Sequence, residues 1–156
     1  MISASRVFAV TTIAATLLLL PAVARSADDS KALQGLTVGK IAFDLKEGDG
    51  KLLLARLDVI DETRQDLIKQ GIKPQFVLTF RGPATRLVQT DGDKIKPEDR
   101  AMAEKVAAKI KQMSSAPGVE GFEQCAIAVR QQGTKEESVL PQVRVVGNGF
   151  VSLMAY

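Results

Sequence analysis

The run Phe76-Val77-Leu78-Thr79-Phe80 limits the fold more than any other stretch of this chain. It is short, almost wholly apolar and without polar alternation, the pattern of a strand covered on both faces, as in a parallel sheet. Upstream, residues 37–45 read as another strand, with Val38, Ile41, Phe43 and Leu45 as its apolar positions, and Lys46-Glu47-Gly48-Asp49-Gly50 closes it as a loop. Between the two, Leu53, Leu57, Ile60, Arg64, Leu67 and Ile68 recur at threes and fours, which predicts a helix that Gly71 caps. The result is a βαβ unit.

The same alternation continues downstream. Gly82 permits a tight turn, Pro83 suits a first helical position, and the short helix that follows turns its free N–H groups toward the strand end. With Arg81 and Arg86 beside it, this is a candidate small-anion site; the other reading is two solvated arginines on a short helix. Thr90-Asp91-Gly92-Asp93-Lys94 opens like a calcium loop, but Ile95-Lys96-Pro97 breaks the ligand spacing and leaves a turn. Pro97-Glu98-Asp99 starts a longer helix with acids in its first turn and Met102, Val106, Ile110 and Met113 on one face. Thr134-Lys135-Glu136-Glu137 has the capping-box pattern of another short helix, stopped by Pro141. Val143-Arg144-Val145-Val146 gives a further strand, and Gly147-Asn148-Gly149 turns the chain into a terminal helix. Strands alternating with helices in this order favour a mostly parallel sheet with helices on both faces. In such sheets ligands gather at the carboxyl ends of the strands.

The only cysteine, Cys125, falls at one of those ends. Residues 119–124 have a strand pattern, and Ala126, Ile127, Val129 and Arg130 begin a short helix that stops at Gly133. A thiol at a helix start faces unpaired backbone N–H groups, which favour the anionic, nucleophilic form of sulfur. Two readings of Cys125 are open: a nucleophile, or a small buried hydrophobe at a strand end.

Composition removes most competing chemistry. The 156-residue chain has no histidine, which excludes Ser-His-Asp and Cys-His catalysis and histidine-ligated metal. One cysteine excludes CxxC redox chemistry, cysteine-based zinc and an internal disulfide, so no metal or other cofactor is expected. Six Phe, one Tyr and no Trp supply few stacking platforms, and a formal charge of +3 is too small to argue for nucleic acid. At the amino terminus, Arg6, an apolar run over residues 7–20 and Pro21-Ala22-Val23-Ala24 read as a secretory signal peptide at 1–24, cleaved after Ala24, with Ser26 or Ala27 as alternatives. The apolar run is short for a membrane span, so no membrane association is expected after cleavage. Residues 25–35 read as a flexible segment and 36–156 as one domain in the periplasm. An unpaired thiol in an oxidising compartment pairs between chains, is kept reduced or carries a modification.

Residues 41–48 (IAFDLKEG), residues 80–88 (FRGPATRLV) and residues 118–146, with Cys125, Gly133, Leu140-Pro141 and Val143-Arg144-Val145-Val146, resemble the DsrE/DsrF-like proteins, most closely the small exported members. The resemblance covers nearly all of the mature chain. It implies a three-layer α/β/α sandwich around a mostly parallel sheet of four to five strands, and assembly into a homotrimer or homohexamer. It also implies sulfur relay by a cysteine persulfide between donor and acceptor thiols, with Cys125 aligned to the carrier cysteine. The expectation is a sulfur carrier of the cell envelope. The alternative is a non-catalytic subunit that binds a small anion or serves assembly.

Overall fold

The computed structural model describes residues 28–156; the leader read at 1–24 lies outside the described residues, as do residues 25–27. Strands β1 (Val38–Leu45), β2 (Lys73–Phe80), β3 (Val119–Cys125) and β4 (Val143–Val146) form one fully parallel sheet in the order β1-β2-β3-β4. Helix α1 (Gly50–Lys69) joins β1 to β2, α2 (Arg100–Met113) lies between β2 and β3, α3 (Ala126–Gln132) follows β3, and α4 (Gly149–Ala155) closes the chain. The expected α/β architecture with helices on both sides of the sheet is the one observed.

The strand order explains why the two helical layers are unequal. When each strand is laid beside the last by a right-handed crossover, every connecting helix falls on the same face. The core reflects this: Leu45, Phe76, Leu78, Phe80 and Phe122 of the sheet pack with Leu53, Leu57 and Ile60 of α1 and Val106, Ile110 and Met113 of α2. Truncating one of these side chains to alanine costs about 2–5 kcal/mol. Among the described residues the opposite face has only α4, and next to it lies a groove lined by Lys40, Ile41, Gln75, Val77, Glu120 and Tyr156.

Helix α1 starts three residues before the first periodic leucine because Asp49 caps it, accepting a hydrogen bond from the Leu52 N–H at 2.8 Å. Its carboxyl end runs into Gly71 at φ +78°, as its position predicts. Buried Asp61 locks α1 to α2, pairing with Arg64 at 2.7 Å and Lys109 at 3.1 Å. Burial pushes its carboxyl up, and the bonds from Arg64 and Lys109 outweigh that, holding it below the usual range.

Two local readings need correction. Pro97 opens a 3-10 turn (Pro97–Asp99), and α2 itself starts at Arg100; Met102 is only half-buried, its place in the core taken by Ala103. Thr134 caps nothing: its hydroxyl donates back to the Val129 carbonyl, and the turn that follows (Glu136–Ser138) has Lys135 at its start.

Candidate functional site

Cys125 is the last residue of β3 and the N-cap residue of α3, with extended backbone angles of φ −71° and ψ 118°. Gly133 ends α3 in the left-handed conformation, at φ 63°. Strand alternation sends Gln124 to the helix-covered face, where its amide donates to Thr85 Oγ1 at 2.9 Å. Glu123 and Cys125 therefore face α4. The thiol is free and only 5% exposed, because the start of α4 lies over it. The Gly149 N–H donates to Cys125 Sγ at 3.2 Å. A Cβ at Gly149 would stand 2.6 Å from Arg81 Cδ and 3.1 Å from Cys125 Cβ, so this approach requires glycine. Asn148 caps α4, its side chain accepting from the Phe150 N–H at 3.0 Å.

Arg81, directly after β2, reaches the same place. Its Nε donates to Asp44 Oδ1 at 2.7 Å and its Nη2 to Asp44 Oδ2, a two-point pairing that commits the fork of the guanidinium. The guanidinium carbon lies 3.5 Å from the Phe150 ring centroid. Thus Arg81 and Cys125 meet around Gly149, with Asp44 already occupying the anion-binding edge of Arg81. Arg86 sits on the 3-10 turn Gly82–Val88, half-buried, with no ion-pair partner among the described residues. Of the two arginines named from sequence, Arg81 is paired with Asp44, and Arg86 takes no part in that pairing.

The sequence did not reveal the group that anchors α4. Glu123, 1% exposed, accepts hydrogen bonds from Ser152 Oγ, Arg144 Nη2 and the Tyr156 hydroxyl (3.1 Å), with Thr79 Oγ1 at 3.4 Å. Burial pushes the Glu123 carboxyl up, but the bonds from Ser152, Arg144 and Tyr156 together hold it below its ordinary value. Its one sequence signal is a carboxylate two residues before Cys125 in a strand that must be buried, where a charge needs partners. Among the described residues no group of three Cys, Asp or Glu side chains could hold a metal ion, and no helix is long and apolar enough to cross a membrane.

No family model matches the chain. It is similar to an uncharacterized protein of Aquifex aeolicus, 27% identical over 115 residues that make up 74% of this chain and 50% of that one. The chain thus spans about half the length of that relative. A solved structure of a protein of unknown function from Methanobacterium thermoautotrophicum has the same fold, with a TM-score of 0.55 at 16% identity over 74% of this chain and 88% of that one. That likeness concerns the fold alone.

Proposed function

We propose that this protein is a sulfur carrier of the cell envelope that holds sulfur as a persulfide on Cys125. The observation that carries the reading is the position of Cys125, at the carboxyl end of β3 with the Gly149 N–H directed at its sulfur. In the reaction, the Cys125 thiolate attacks the outer sulfur of a donor persulfide. A new S–S bond forms, the donor's S–S bond breaks, and the donor thiolate leaves with the electron pair. An acceptor thiolate then attacks the outer sulfur on Cys125 and releases the Cys125 thiolate. Sulfur moves without net oxidation, and neither histidine nor metal is needed. The Gly149 N–H would favour negative charge on sulfur in both steps. Because α4 covers the thiol, its first turn must lift to admit donor or acceptor, and Gly147 and Gly149 flank the point where it would bend.

Export to the periplasm, assembly as a homotrimer or homohexamer, and separate donor and acceptor thiols belong to the same proposal. Intact-mass measurement after incubation with polysulfide should show one added sulfur, absent in Cys125→Ser. An unmodified wild-type protein across polysulfide, thiosulfate and a small-molecule persulfide would defeat the proposal.

A second reading draws on the burial of Cys125 and on Phe150, Val151 and Met154, which stand 63%, 57% and 80% exposed on α4. Here Cys125 is packing, and the α4 surface serves assembly or holds a partner. Function intact in Cys125→Ala would favour this reading over the carrier.

A further inference from the structure

The outer edge of β1 is open and long, and its polar groups have a defined phase. The Lys73 and Arg81 N–H groups donate to the carbonyls of Thr37 and Leu45, so the odd-numbered residues of β1 bond to β2. Val38, Lys40, Ala42 and Asp44 therefore direct both N–H and C=O away from the sheet, where they meet no backbone partner among the described residues. The opposite edge strand, β4, has four residues against eight in β1. Val38 and Ile41 are 37% and 36% exposed, as on an uncovered edge. Such a row of unpaired groups is a template for another strand.

We propose that the occupant is a second copy of this chain, its β1 antiparallel to the first, with Ala42 of each copy opposite Ala42 of the other across a two-fold axis. The charge pattern selects this register. Only outward-directed residues can face one another as hydrogen-bonded pairs, so even-numbered positions meet even-numbered positions. With Ala42 on the axis, Lys40 of each copy stands opposite Asp44 of the other, giving two opposite-charge pairs on the α4 side. On the α1 side Ile41 meets Phe43, an aliphatic-aromatic pair. Neighbouring registers lose this: one sets Lys40 against Ala42, others set Lys40 against Lys40 or Lys46, or Asp44 against Asp44. A slip by a single residue turns the strand's faces over. The two-fold axis makes the interface self-complementary and continues the sheet across both copies, with like faces aligned. Asp44 then joins the interface to Arg81 and the Cys125 cluster, although the inference stands independently of sulfur chemistry.

Sedimentation of the Cys125→Ser protein at tens of micromolar, where a sulfur cross-link cannot form, tests the pairing. A dimer or a multiple of dimers, the homohexamer included, is expected, and a homotrimer would overturn the pairing. Ala42→Pro removes one outward N–H and no β1–β2 bond, so it should dissociate the pair while leaving the far-ultraviolet spectrum unchanged. Lys40→Glu sets like charges opposite and should weaken association at least about tenfold, which decides the matter should Ala42→Pro fail to fold. A monomeric parent protein, or an assembly that survives Lys40→Glu unchanged, would overturn the proposal.

Discussion

The backbone N–H of Gly149 is hydrogen-bonded to Cys125 Sγ at 3.2 Å, so the terminal helix begins on the only thiol of the chain. The contact depends on the missing side chain: alanine at 149 would drive a Cβ to 2.6 Å from Arg81 Cδ. We expect Gly149→Ala to displace the first turn of α4 and raise the rate of Cys125 alkylation in native buffer by about tenfold or more, for an overpacking cost of about 1–3 kcal/mol. An unchanged rate would mean that α4 does not control access to the thiol.

Arg81 is held by Asp44, with its side chain 12% exposed and that of Asp44 30% exposed. Asp44→Ala leaves a nearly buried guanidinium without its carboxylate. The expected loss is about 2 kcal/mol, less than for a fully buried pair because Asp44 is partly solvated. Thermal unfolding of the variant should show a Tm lower by several degrees. A Tm equal to that of the parent would show that the pair contributes nothing and that Arg81 remains available to an external anion.

Glu123 gives the attachment of α4 a pH dependence. Its carboxyl lies below the ordinary value of about 4.3 in the folded chain. The stabilisation is therefore complete above that ordinary value and is lost as pH falls through the lower folded one. Tyr156 is the only tyrosine, there is no tryptophan, and its hydroxyl bonds Glu123, so tyrosine fluorescence reports on the contact. Acid titration should change the emission below about pH 4.3 before the sheet unfolds. Glu123→Gln should abolish that step; a step that persists in the variant would assign it to another group.

The difference between what sequence gave away and what it hid follows the range of the interactions. The nearly continuous apolar run at Phe76 to Phe80 marks a doubly covered strand, and the strand-to-helix pattern around Cys125 is local; both are legible because their causes lie within a few residues. The cap at Asp49 is hidden because the apolar stripe of α1 begins only at Leu53, and Asp49 lies ahead of it. Glu123 with Ser152 and Tyr156, and Arg81 with Asp44, are set by strand register and by the fold of α4 across the sheet. Nothing in the spacing of Asp44, on β1, and Arg81, just after β2, announces that they meet. For the same reason the basic pair near a helix start does not announce that Asp44 is the partner of Arg81.

Gly118 is where backbone geometry leaves least freedom. It precedes β3 at φ +86°, a region that costs a residue with a Cβ about 1–3 kcal/mol. A Cβ there would also stand 2.4 Å from Pro74 Cγ and 2.8 Å from the Pro74 carbonyl oxygen, so the clash involves the neighbouring strand's backbone as well as a ring. The Gly118 carbonyl accepts from the Phe76 N–H at 2.8 Å, so relief by moving the chain would break the first bond that registers β3 on β2. Strain, overpacking and a lengthened hydrogen bond add in the same direction. Gly118→Ala should lose about 3 kcal/mol or more in denaturant unfolding. Gly71→Ala is the control: its φ is +78° and no atom lies within 4 Å of the new Cβ, so it carries the backbone strain alone and should lose about 1–2 kcal/mol. Equal losses at the two positions would show that the contact with Pro74 relaxes freely and that backbone conformation accounts for the requirement for glycine at 118.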